Sequence, residues 1–402
     1  MKTKFKLIIS VLAILILFTI SCTKTKIAEK AEWKGKIEYE NDVKVVKNPA
    51  EPVYGEILFD LEEDLSIGRE DDDNYMFYRP RKIDTDDQGN IYILESGNHR
   101  IQKFDLNGQY LQTIGQKGQG PGEFERPYSF FLDKNKNIYV NEGRKIQIFN
   151  NEGEFLRSIP VSYYTTNFSV TLDENIFAVA SITKEEARNQ AVIKMDQKGK
   201  IIKNIAEFPF INPASRKDKE GRISVFFVNH SYNPDLYFSQ SANDKLIYAY
   251  SSEYSLFQIN LEGNIELIIK KEEPYHSISQ KEKNKIYEGF SELEERWPKG
   301  VVKEAVQFPP HRPFFSRIIT DDRGRIYVRR IEPVHEEDET VEFDIFSKDG
   351  YYLYKTNLPF TPEIIKNGYF YDLNTSEETG EVKIKRFKIK NWEQIELPDS
   401  FQ

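Results

Sequence analysis

The sequence predicts an all-β protein: a six-bladed β-propeller with four-stranded antiparallel blades, a ring closed by the N-terminal strand, and one inserted helix. Three observations support this prediction: a repeated unit, turn residues at matching positions in each copy, and alternating apolar residues in the strands. Of the 402 residues, 39% are hydrophobic and 13% aromatic, which is enough to build a large core. The mean hydropathy of −0.61 excludes a polytopic membrane protein.

The N-terminus has the pattern of a secretory signal. Three lysines precede an apolar run over residues 7–20, and the only cysteine, Cys22, follows Ser21 directly after that run. At about 1.5 Å per residue, the run is too short to cross a hydrocarbon layer of about 30 Å as a helix. Ser21-Cys22 at this place resembles the bacterial lipobox, in which cleavage before the cysteine leaves a lipid on it. An uncleaved membrane anchor is the alternative.

This pattern predicts the division of the chain and its location. We expect residues 1–21 to be a lipoprotein signal peptide, residues 22–53 a tether lipidated at Cys22, and residues 54–402 the propeller. The lipid would anchor the protein to a membrane of the cell envelope, on the periplasmic side or at the cell surface. Cys22 would then be an attachment point and not a nucleophile, and a single cysteine excludes an internal disulfide framework.

The charge of the chain limits its partners. There are 65 acidic and 56 basic side chains, for a formal charge of −9, and signal cleavage would remove three lysines and no acid to give −12. Such a protein lacks the overall positive charge that a general nucleic-acid binder needs. We therefore expect no nucleic-acid partner.

The repeat appears most clearly in residues 79–115 and 126–159, which share the order strand, Asp/Asn/Gly turn, strand, turn, strand, Gly turn, strand. Matching glycines recur at Gly108, Gly153 and Gly199, spaced by 45 and 46 residues, and again at Gly263 and Gly350. A period of 40–50 residues with four strands per unit is typical of propeller blades. Six units can be traced, and the last lacks an outer strand. Residues 55–68 match the outer strand of the first unit, so we expect them to complete the sixth.

Particular residues in the first two units resemble the NHL-repeat family. They are GNIYI at 89–93, NHRIQKF at 98–104, LQTIG at 111–115 and GQGPGEF at 118–124. With the lipobox, six such units are similar to the bacterial six-bladed propeller lipoproteins. The resemblance implies the propeller fold and leaves the activity open, because related propellers include binding modules as well as hydrolases and lyases.

Two long insertions interrupt the repeat. Residues 207–236 contain three prolines and mixed charges and predict a long surface loop. In residues 272–312, Ser279 and Glu282 form a capping-box pattern that begins a helix. An apolar stripe follows at helical spacing: Ile286, Phe290, Leu293 and Trp297. This stripe either packs on the protein's own propeller or binds a partner protein.

Few residues point to metal or catalytic chemistry. Asp84, Asp86, Gly89 and Glu95 imitate the spacing of a calcium loop, but the residues after Gly89 alternate as a strand. The acidic run 71–74 is more typical of a solvated turn than of a cation site. The histidines are scattered, and none has a neighbour at metal-ligand spacing; they are His99, His230, His276, His311 and His335. No nucleophile motif is present, so we assign no catalytic residue, metal or cofactor, with calcium and zinc as the weaker alternatives.

Loops that leave the blades on one face of the ring carry the candidate binding residues. These are Arg79, His99, Arg100, Arg126, Tyr128, His311 and Arg312. Either they bind a polar or anionic ligand such as a glycan or a peptide carboxylate, or the arginines pair with local carboxylates and hold loops in place. We therefore predict a lipid-anchored, extracytoplasmic module that binds a ligand or protein partner. A hydrolase or lyase with a site at the mouth of the central channel is the alternative.

Overall fold

The computed structural model of the protein describes residues 32–184, 187–210, 214–217, 223–226, 229–240, 245–296, 300–334, 340–376 and 379–395. The signal peptide, Cys22, Trp297 and His335 lie outside these residues. Within them, six sheets form the blades; each blade has four antiparallel strands, and two further strands extend the sheet of blade four.

The strands are numbered in chain order, and the first listed in each blade is innermost. Blade one contains β4 (Pro80–Thr85), β5 (Ile91–Glu95), β6 (Arg100–Phe104) and β7 (Tyr110–Ile114). Blade two contains β8 (Ser129–Leu132), β9 (Ile138–Asn141), β10 (Lys145–Phe149) and β11 (Phe155–Pro160). Blade three contains β12 (Tyr164–Val170), β13 (Ile176–Lys184), β14 (Ala187–Met195) and β15 (Ile201–Pro209).

The second half of the ring has longer insertions. Blade four contains β18 (Leu236–Gln240), β19 (Leu246–Tyr250), β20 (Ser255–Ile259) and β21 (Ile265–Lys271). Blade five contains β22 (Phe315–Thr320), β23 (Ile326–Arg330), β24 (Val341–Phe346) and β25 (Tyr352–Leu358). Blade six contains β26 (Ile364–Lys366), β27 (Tyr369–Thr375) and β28 (Val382–Ile389), with β3 (Leu61–Ile67) as its outer strand.

The pairing of β3 with β28 closes the ring, as the sequence predicts. The two strands are antiparallel, and Ile67 lies opposite Ile384. Both side chains are buried in one apolar cluster with Ile83 of blade one. Since a strand from the start of the chain completes the last blade, no described blade is left with three strands.

A repeated apolar pair in the second strand of the blades forms much of the core. The pairs are Ile91-Tyr92, Ile138-Tyr139, Ile176-Phe177, Ile247-Tyr248, Ile326-Tyr327 and Phe370-Tyr371, and all of these residues are buried. Successive side chains of a strand point to opposite faces, so each pair packs toward both neighbouring blades.

A hairpin precedes the closing strand and lies inside the interval 22–53 that the sequence analysis assigns to a tether. It consists of β1 (Lys36–Glu40) and β2 (Val43–Asn48), and β2 pairs in parallel with β21, which makes blade four six-stranded. Val45 and Val46 are fully buried. The side chain of Asn48 donates to the backbone carbonyls of Lys270 and Gly350. The folded part of the chain therefore includes residues 36–48.

The insertions also differ in detail from the prediction. The loop 207–236 contains a two-stranded hairpin, β16 (Ala214–Lys217) with β17 (Ile223–Phe226). In place of one helix there are three short ones, α1 (Gln280–Glu288), α2 (Ser291–Arg296) and α3 (Val301–Ala305), besides a 3₁₀ turn at Trp392–Gln394. The predicted capping box of Ser279 and Glu282 is present at the start of α1, which ends at Gly289.

Candidate binding site at the channel mouth

The six inner strands surround a central channel. Each of β4, β8, β12, β18, β22 and β26 contacts the next around the ring, and β26 contacts β4. The cavity that they line has a volume of about 960 Å³. Every blade begins with its inner strand, so the first residues of these strands meet at one end of the channel. We call this end the channel mouth and define it by Arg81, Lys82, Asp235, Tyr237, Arg317 and Glu363, which all line the cavity.

Hydrogen bonds between inner strands hold the wall of the channel together. The side chain of Ser129 donates to the carbonyl of Thr166 at 2.9 Å, and that of Asn167 donates to the carbonyl of Phe238 at 2.9 Å. The hydroxyls of Ser239 and Thr320 are 3.0 Å apart. These hydrogen bonds join blade two to blade three, blade three to blade four, and blade four to blade five. They therefore fix the shape of the channel wall.

Lys82 is the cation that penetrates the channel mouth. Its ammonium group lies 5.7 Å from the ring centroid of Phe130 and forms no ion pair with a described residue. Burial lowers its pKa, and this effect exceeds the opposing attraction of Asp84 and Glu363; Arg317 adds to the lowering. A partly desolvated ammonium without a close carboxylate has unused hydrogen-bonding capacity.

Arg317 and Glu363 form a bidentate ion pair across blades five and six. Two nitrogens of the guanidinium reach the two carboxylate oxygens at 3.1 and 2.7 Å. Arg329 lies opposite Arg317 in the register of β22 and β23. Its Nε atom is buried without a hydrogen-bond partner, and burial lowers the pKa of its guanidinium. Arg317 at the mouth is therefore paired, and Arg329 lies next to it on β23, outside the cavity lining.

Two carboxyl groups near the mouth resist ionisation. Burial, reinforced by the charge of Glu363, raises the pKa of Asp372 to about 6. Burial also raises the pKa of Asp235, although Gln190 donates a hydrogen bond to its carboxylate at 2.6 Å. Tyr237 lies between these charges, and burial raises its pKa, as does Asp235. Asp372 therefore exchanges its proton near neutral pH.

Three arginines lie at the start of blade one and on the connection to blade two, and of these Arg81 lines the cavity. We call Arg79, Arg81 and Arg126 the arginine rim; all three side chains are exposed, and none forms an ion pair with a described residue. The guanidinium of Arg81 lies 5.6 Å from the ring centroid of Tyr128. That ring meets Tyr164 edge-on at 5.4 Å. Burial and a hydrogen bond with Tyr128 raise the pKa of Tyr164, and Arg81 and Arg126 oppose this.

The other predicted residues of blade one serve their own loop. Arg100 binds the fully buried carboxylate of Glu95 at 2.7 Å and donates to the carbonyl of Asp73 at 2.8 Å. Glu95 also accepts from the backbone N–H of Tyr78. His99 adopts a φ of 56° in the turn, and its Nδ1 is buried without a partner. Arg100 thus holds the loop in place, which is the second of the two roles that the sequence left open.

His311 and Arg312 belong to the insertion between blades four and five. His311 packs on Tyr275, with ring centroids 4.4 Å apart, and its Nδ1 lies 2.8 Å from the carbonyl of Arg312. The guanidinium of Arg312 lies 3.4 Å from the carboxylate of Glu282. Neither residue lines the channel. Arg79, Arg126 and Tyr128 do not line it either, although their loops lead into the inner strands β4 and β8, and Arg312 contacts Glu282 of α1.

The stripe of α1 and α2 contacts the protein's own residues. Ile286 is buried in a cluster with Tyr232 and Val302, and Phe290 and Leu293 pack against this cluster while remaining half-exposed. The buried carboxylate of Glu282 accepts a hydrogen bond from the hydroxyl of Tyr232 at 2.6 Å. This packing supplies the contact with the propeller that the sequence allowed for. A groove of about 250 Å³ lies beside Phe290.

The geometry bears on the calcium alternative. Asp84 lies on β4 opposite Tyr92, three residues of β5 before Glu95, so Asp84 and Glu95 are about 10 Å apart along the strands, and Asp86 lies farther from Glu95 in the turn. Asp86 accepts hydrogen bonds from the backbone of Gln88 and Asn90, as a turn aspartate does. Among the described residues, no group of three histidine, cysteine or acidic side chains is arranged to hold a metal ion.

The residues that penetrate the mouth were not among those predicted from the sequence. Lys82, Arg317 and Glu363 begin inner strands, where an alternating pattern normally indicates core packing. One signal was available. Lys82 stands four residues before the turn residue Asp86, and Arg317 stands four before Asp321, so two blades carry a cation at the same repeat position. Aligning the inner strands by their turns would have found this pair.

The fold and the mouth define the class of protein: a six-bladed propeller of NHL-like blades with a central cavity whose lining includes several charged side chains. The chain belongs to the family described as Domain of unknown function (DUF4934), whose model matches residues 70–396. It is 28% identical over 130 residues to Protein brain tumor of Drosophila melanogaster, a match covering 31% of this chain and 12% of that protein. It is 31% identical over 86 residues to NHL repeat-containing protein 3 of Homo sapiens, covering 20% and 25%.

A solved structure supports the fold. A putative exported protein from Bacteroides fragilis superposes with a TM-score of 0.51 at 13% identity, covering 86% of this chain and 99% of that one. At this identity the likeness concerns the fold alone. The curated relatives are matched over 12% to 37% of their length, so their activities do not transfer. In the described part of the chain, no helix has the length and apolarity needed to span a bilayer.

Proposed function

We propose that this protein is an extracytoplasmic propeller that binds a polar ligand in its channel mouth and has no catalytic role. The observation that carries the proposal is unused binding capacity at the mouth. Lys82 lines the cavity and forms no ion pair with a described residue. Since an unpaired buried polar group costs about 1–3 kcal/mol, a ligand that satisfies it gains affinity.

The shape of the cavity supports the same proposal. A volume of about 960 Å³ lies at the upper end of ordinary ligand pockets, and six separate chain segments line it. Carboxylates of Asp84 and Glu363 lie near the same cations. Such a mixture of donors and acceptors suits a polar ligand better than an apolar one.

A thermal-shift screen of the purified full chain tests this function. Polar metabolites, saccharides and short peptides would be screened against the wild type, Lys82→Met and the control Lys198→Met, whose lysine is exposed in the turn between β14 and β15. We expect a ligand that stabilises the wild type and the control but loses at least tenfold in affinity for Lys82→Met. Ligands that bind all three proteins equally would place binding elsewhere and overturn the proposal.

The lipid anchor is part of the proposed function. The signal-like residues 1–21 and the lipobox-like Ser21-Cys22 support it, and the similar structure from Bacteroides fragilis is a putative exported protein. We expect mass spectrometry of protein from native membranes to find an N-terminal acylated Cys22. The variant Cys22→Ser should leave the membrane fraction. A protein that retains Met1 and carries no acyl group would contradict the lipid anchor. That outcome would leave the proposal for the channel site unchanged.

A hydrolase or lyase is the second candidate, favoured by one observation. Asp372, with a pKa of about 6, and Lys82, with a lowered pKa, are both influenced by Glu363 and Arg317. Groups that titrate nearer neutrality can transfer protons in catalysis. A ligand found in the screen should be recovered unchanged after long incubation if the protein only binds. Turnover that is lost in Asp372→Asn would favour the enzyme.

A further inference from the structure

The arginine rim contrasts with other arginines of the protein. Arg100 is paired with Glu95, Arg317 with Glu363, and Arg386 with Asp64. The chain has nine more acidic than basic side chains, so partners for arginine are abundant. Three exposed arginines that form no ion pair with a described residue therefore make a local positive site on an acidic protein, and Arg81 connects this site to the cavity that it lines. Such a site attracts anionic ligands.

The rim also has a defined geometry. Arg81 lies over Tyr128, and Tyr128 is held edge-on by Tyr164 at an interplanar angle of 76°. A guanidinium stacked on an aromatic ring keeps the N–H groups at its edge free for a carboxylate or sulfate. Tyr128 is half-buried, so its ring and hydroxyl offer an amphipathic surface at the same place.

Two carboxylates line the cavity beside the rim. They belong to Asp84 and Glu363, and both attract the ammonium group of Lys82. They would repel a simple inorganic anion that entered the channel, but they accept hydrogen bonds from hydroxyl groups. A ligand that satisfies both the cations and the carboxylates therefore carries a negative group at one end and several hydroxyl groups at the other.

We propose that the ligand is an acidic saccharide whose carboxylate or sulfate groups bind the arginine rim and Lys82, while its hydroxyl groups reach Asp84 and Glu363. This inference rests on the proposed function, because it places the ligand in the channel mouth. It adds the chemical class of the ligand and the residues that select it. A saccharide of two or three units fits within the volume of the cavity.

Calorimetric titration of the purified full chain tests the inference. The probes are digalacturonate, its dimethyl ester as the neutral match, a sulfated disaccharide, and a tetrapeptide with a free carboxylate. The proteins are the wild type, Arg81→Gln/Arg126→Gln, Lys82→Met, and the control Arg157→Gln on β11, whose arginine lies on an outer strand. Circular dichroism and the melting temperature verify that each variant is folded.

We expect digalacturonate or the sulfated disaccharide to bind the wild type and the control equally. Affinity should fall at least tenfold for the double variant and for the dimethyl ester, and it should weaken with increasing salt. The two acidic probes distinguish a carboxylate ligand from a sulfated one. Equal binding of the ester, or full binding to the double variant, would overturn the inference.

Two further outcomes separate this inference from the proposed function. Suppose that the tetrapeptide or the ester binds the wild type, that neither acidic probe does, and that Lys82→Met abolishes this binding. The channel mouth is then a ligand site, but the acidic saccharide is wrong. If no probe binds, the acidic saccharide is wrong, and the screen described above then decides whether the mouth binds any polar ligand.

Discussion

Two lysines of this protein stand in opposite electrostatic situations. Lys271, on the outer strand β21, has a side chain that is 2% exposed and pairs with Glu273 at 2.6 Å and with Asp344 at 3.1 Å. Its ammonium also lies about 5 Å from the ring centroids of Tyr254 and Tyr352. Lys82, at the channel mouth, has one aromatic neighbour and no ion pair with a described residue.

The surroundings of Lys271 are saturated. Asp344 is fully buried and accepts hydrogen bonds from the hydroxyls of Tyr254 and Tyr352. Burial opposes ionisation of Glu273, but the hydrogen bonds of Arg330 and Lys271 outweigh it and hold the pKa of Glu273 at about 2. Every charge in this cluster between blades four and five has its partner within the protein. The cluster is structural, whereas the channel mouth retains capacity for a ligand.

The largest expected effect comes from exchanging each lysine for methionine. Lys271→Met leaves buried carboxylates without their cation and should lower the free energy of unfolding by about 3 kcal/mol. Lys82→Met removes a desolvated charge that has no close partner, so its stability should change by less than about 1 kcal/mol. Urea unfolding followed by circular dichroism measures both. Equal losses in the two variants would break the comparison.

The closing seam should show an intermediate effect. Arg386 binds Asp64 of β3 in a bidentate pair at 3.0 and 2.9 Å and also donates to the carbonyl of Leu106. Arg386→Ala should destabilise the protein by about 2 kcal/mol, because it removes a partly buried bidentate pair and the packing on Tyr369. Urea unfolding provides the measurement, with Arg157→Ala as the control. No loss would mean that backbone pairing alone closes the ring.

Acid should stabilise the channel mouth through Asp372. Its pKa of about 6 in the folded protein lies above the ordinary value of 3.8, so between about pH 4 and 6 the folded state binds more protons than the unfolded state. Stability contributed by this group therefore falls as the pH rises through that window. Relative to Asp372→Asn, the wild type should lose about 1–2 kcal/mol between pH 4 and 7, since channel water screens part of the penalty.

Urea unfolding at pH 4, 5, 6 and 7 supplies the measurement for both proteins. The matched change Asp322→Asn, at an exposed site, should leave the pH dependence as it is in the wild type. A difference between wild type and Asp372→Asn that does not depend on pH would contradict the assignment.

The smallest effect should come from an exposed ion pair. Arg69 reaches Asp72 at 2.9 Å, and its side chain is 52% exposed. Arg69→Ala should change the free energy of unfolding by less than about 0.5 kcal/mol, because solvent screens the pair. Among these variants, Arg69→Ala should lose the least free energy of unfolding and Lys271→Met the most. A loss above 1.5 kcal/mol, measured by urea unfolding, would show that its packing on Tyr75 matters more than its charge.

The sequence was sufficient for the repeat because each blade records it locally. Gly108, Gly153 and Gly199 all have φ near 78°, which the turn requires and which glycine adopts without strain. The capping box of Ser279 and Glu282 likewise depends on residues three positions apart. The hairpin of β1 and β2 escaped prediction because its partner, β21, lies more than 200 residues further along the chain.

The channel mouth could be predicted only in part for the same reason. The order of strands within a blade predicts that the loops of Arg79, Arg126 and Tyr128 lead into inner strands, as they do, but it does not predict which side chains line the cavity. Whether an arginine there is paired depends on which carboxylate the fold brings near it. Arg100 meets Glu95 in its own loop, whereas Arg317 meets Glu363 from the next blade.

The amino-acid sequence by itself determined the six blades, their turns and the closing strand, since these follow from periodicity and from the conformations that glycine, asparagine and aspartate allow. The tertiary structure alone decided which charges are satisfied. Six inner strands between residues 80 and 366 surround one cavity. Only this assembled arrangement shows that Lys82 forms no ion pair with a described residue, whereas Lys271 does. Burial and pairing are properties of the assembled ring, and no local segment carries them.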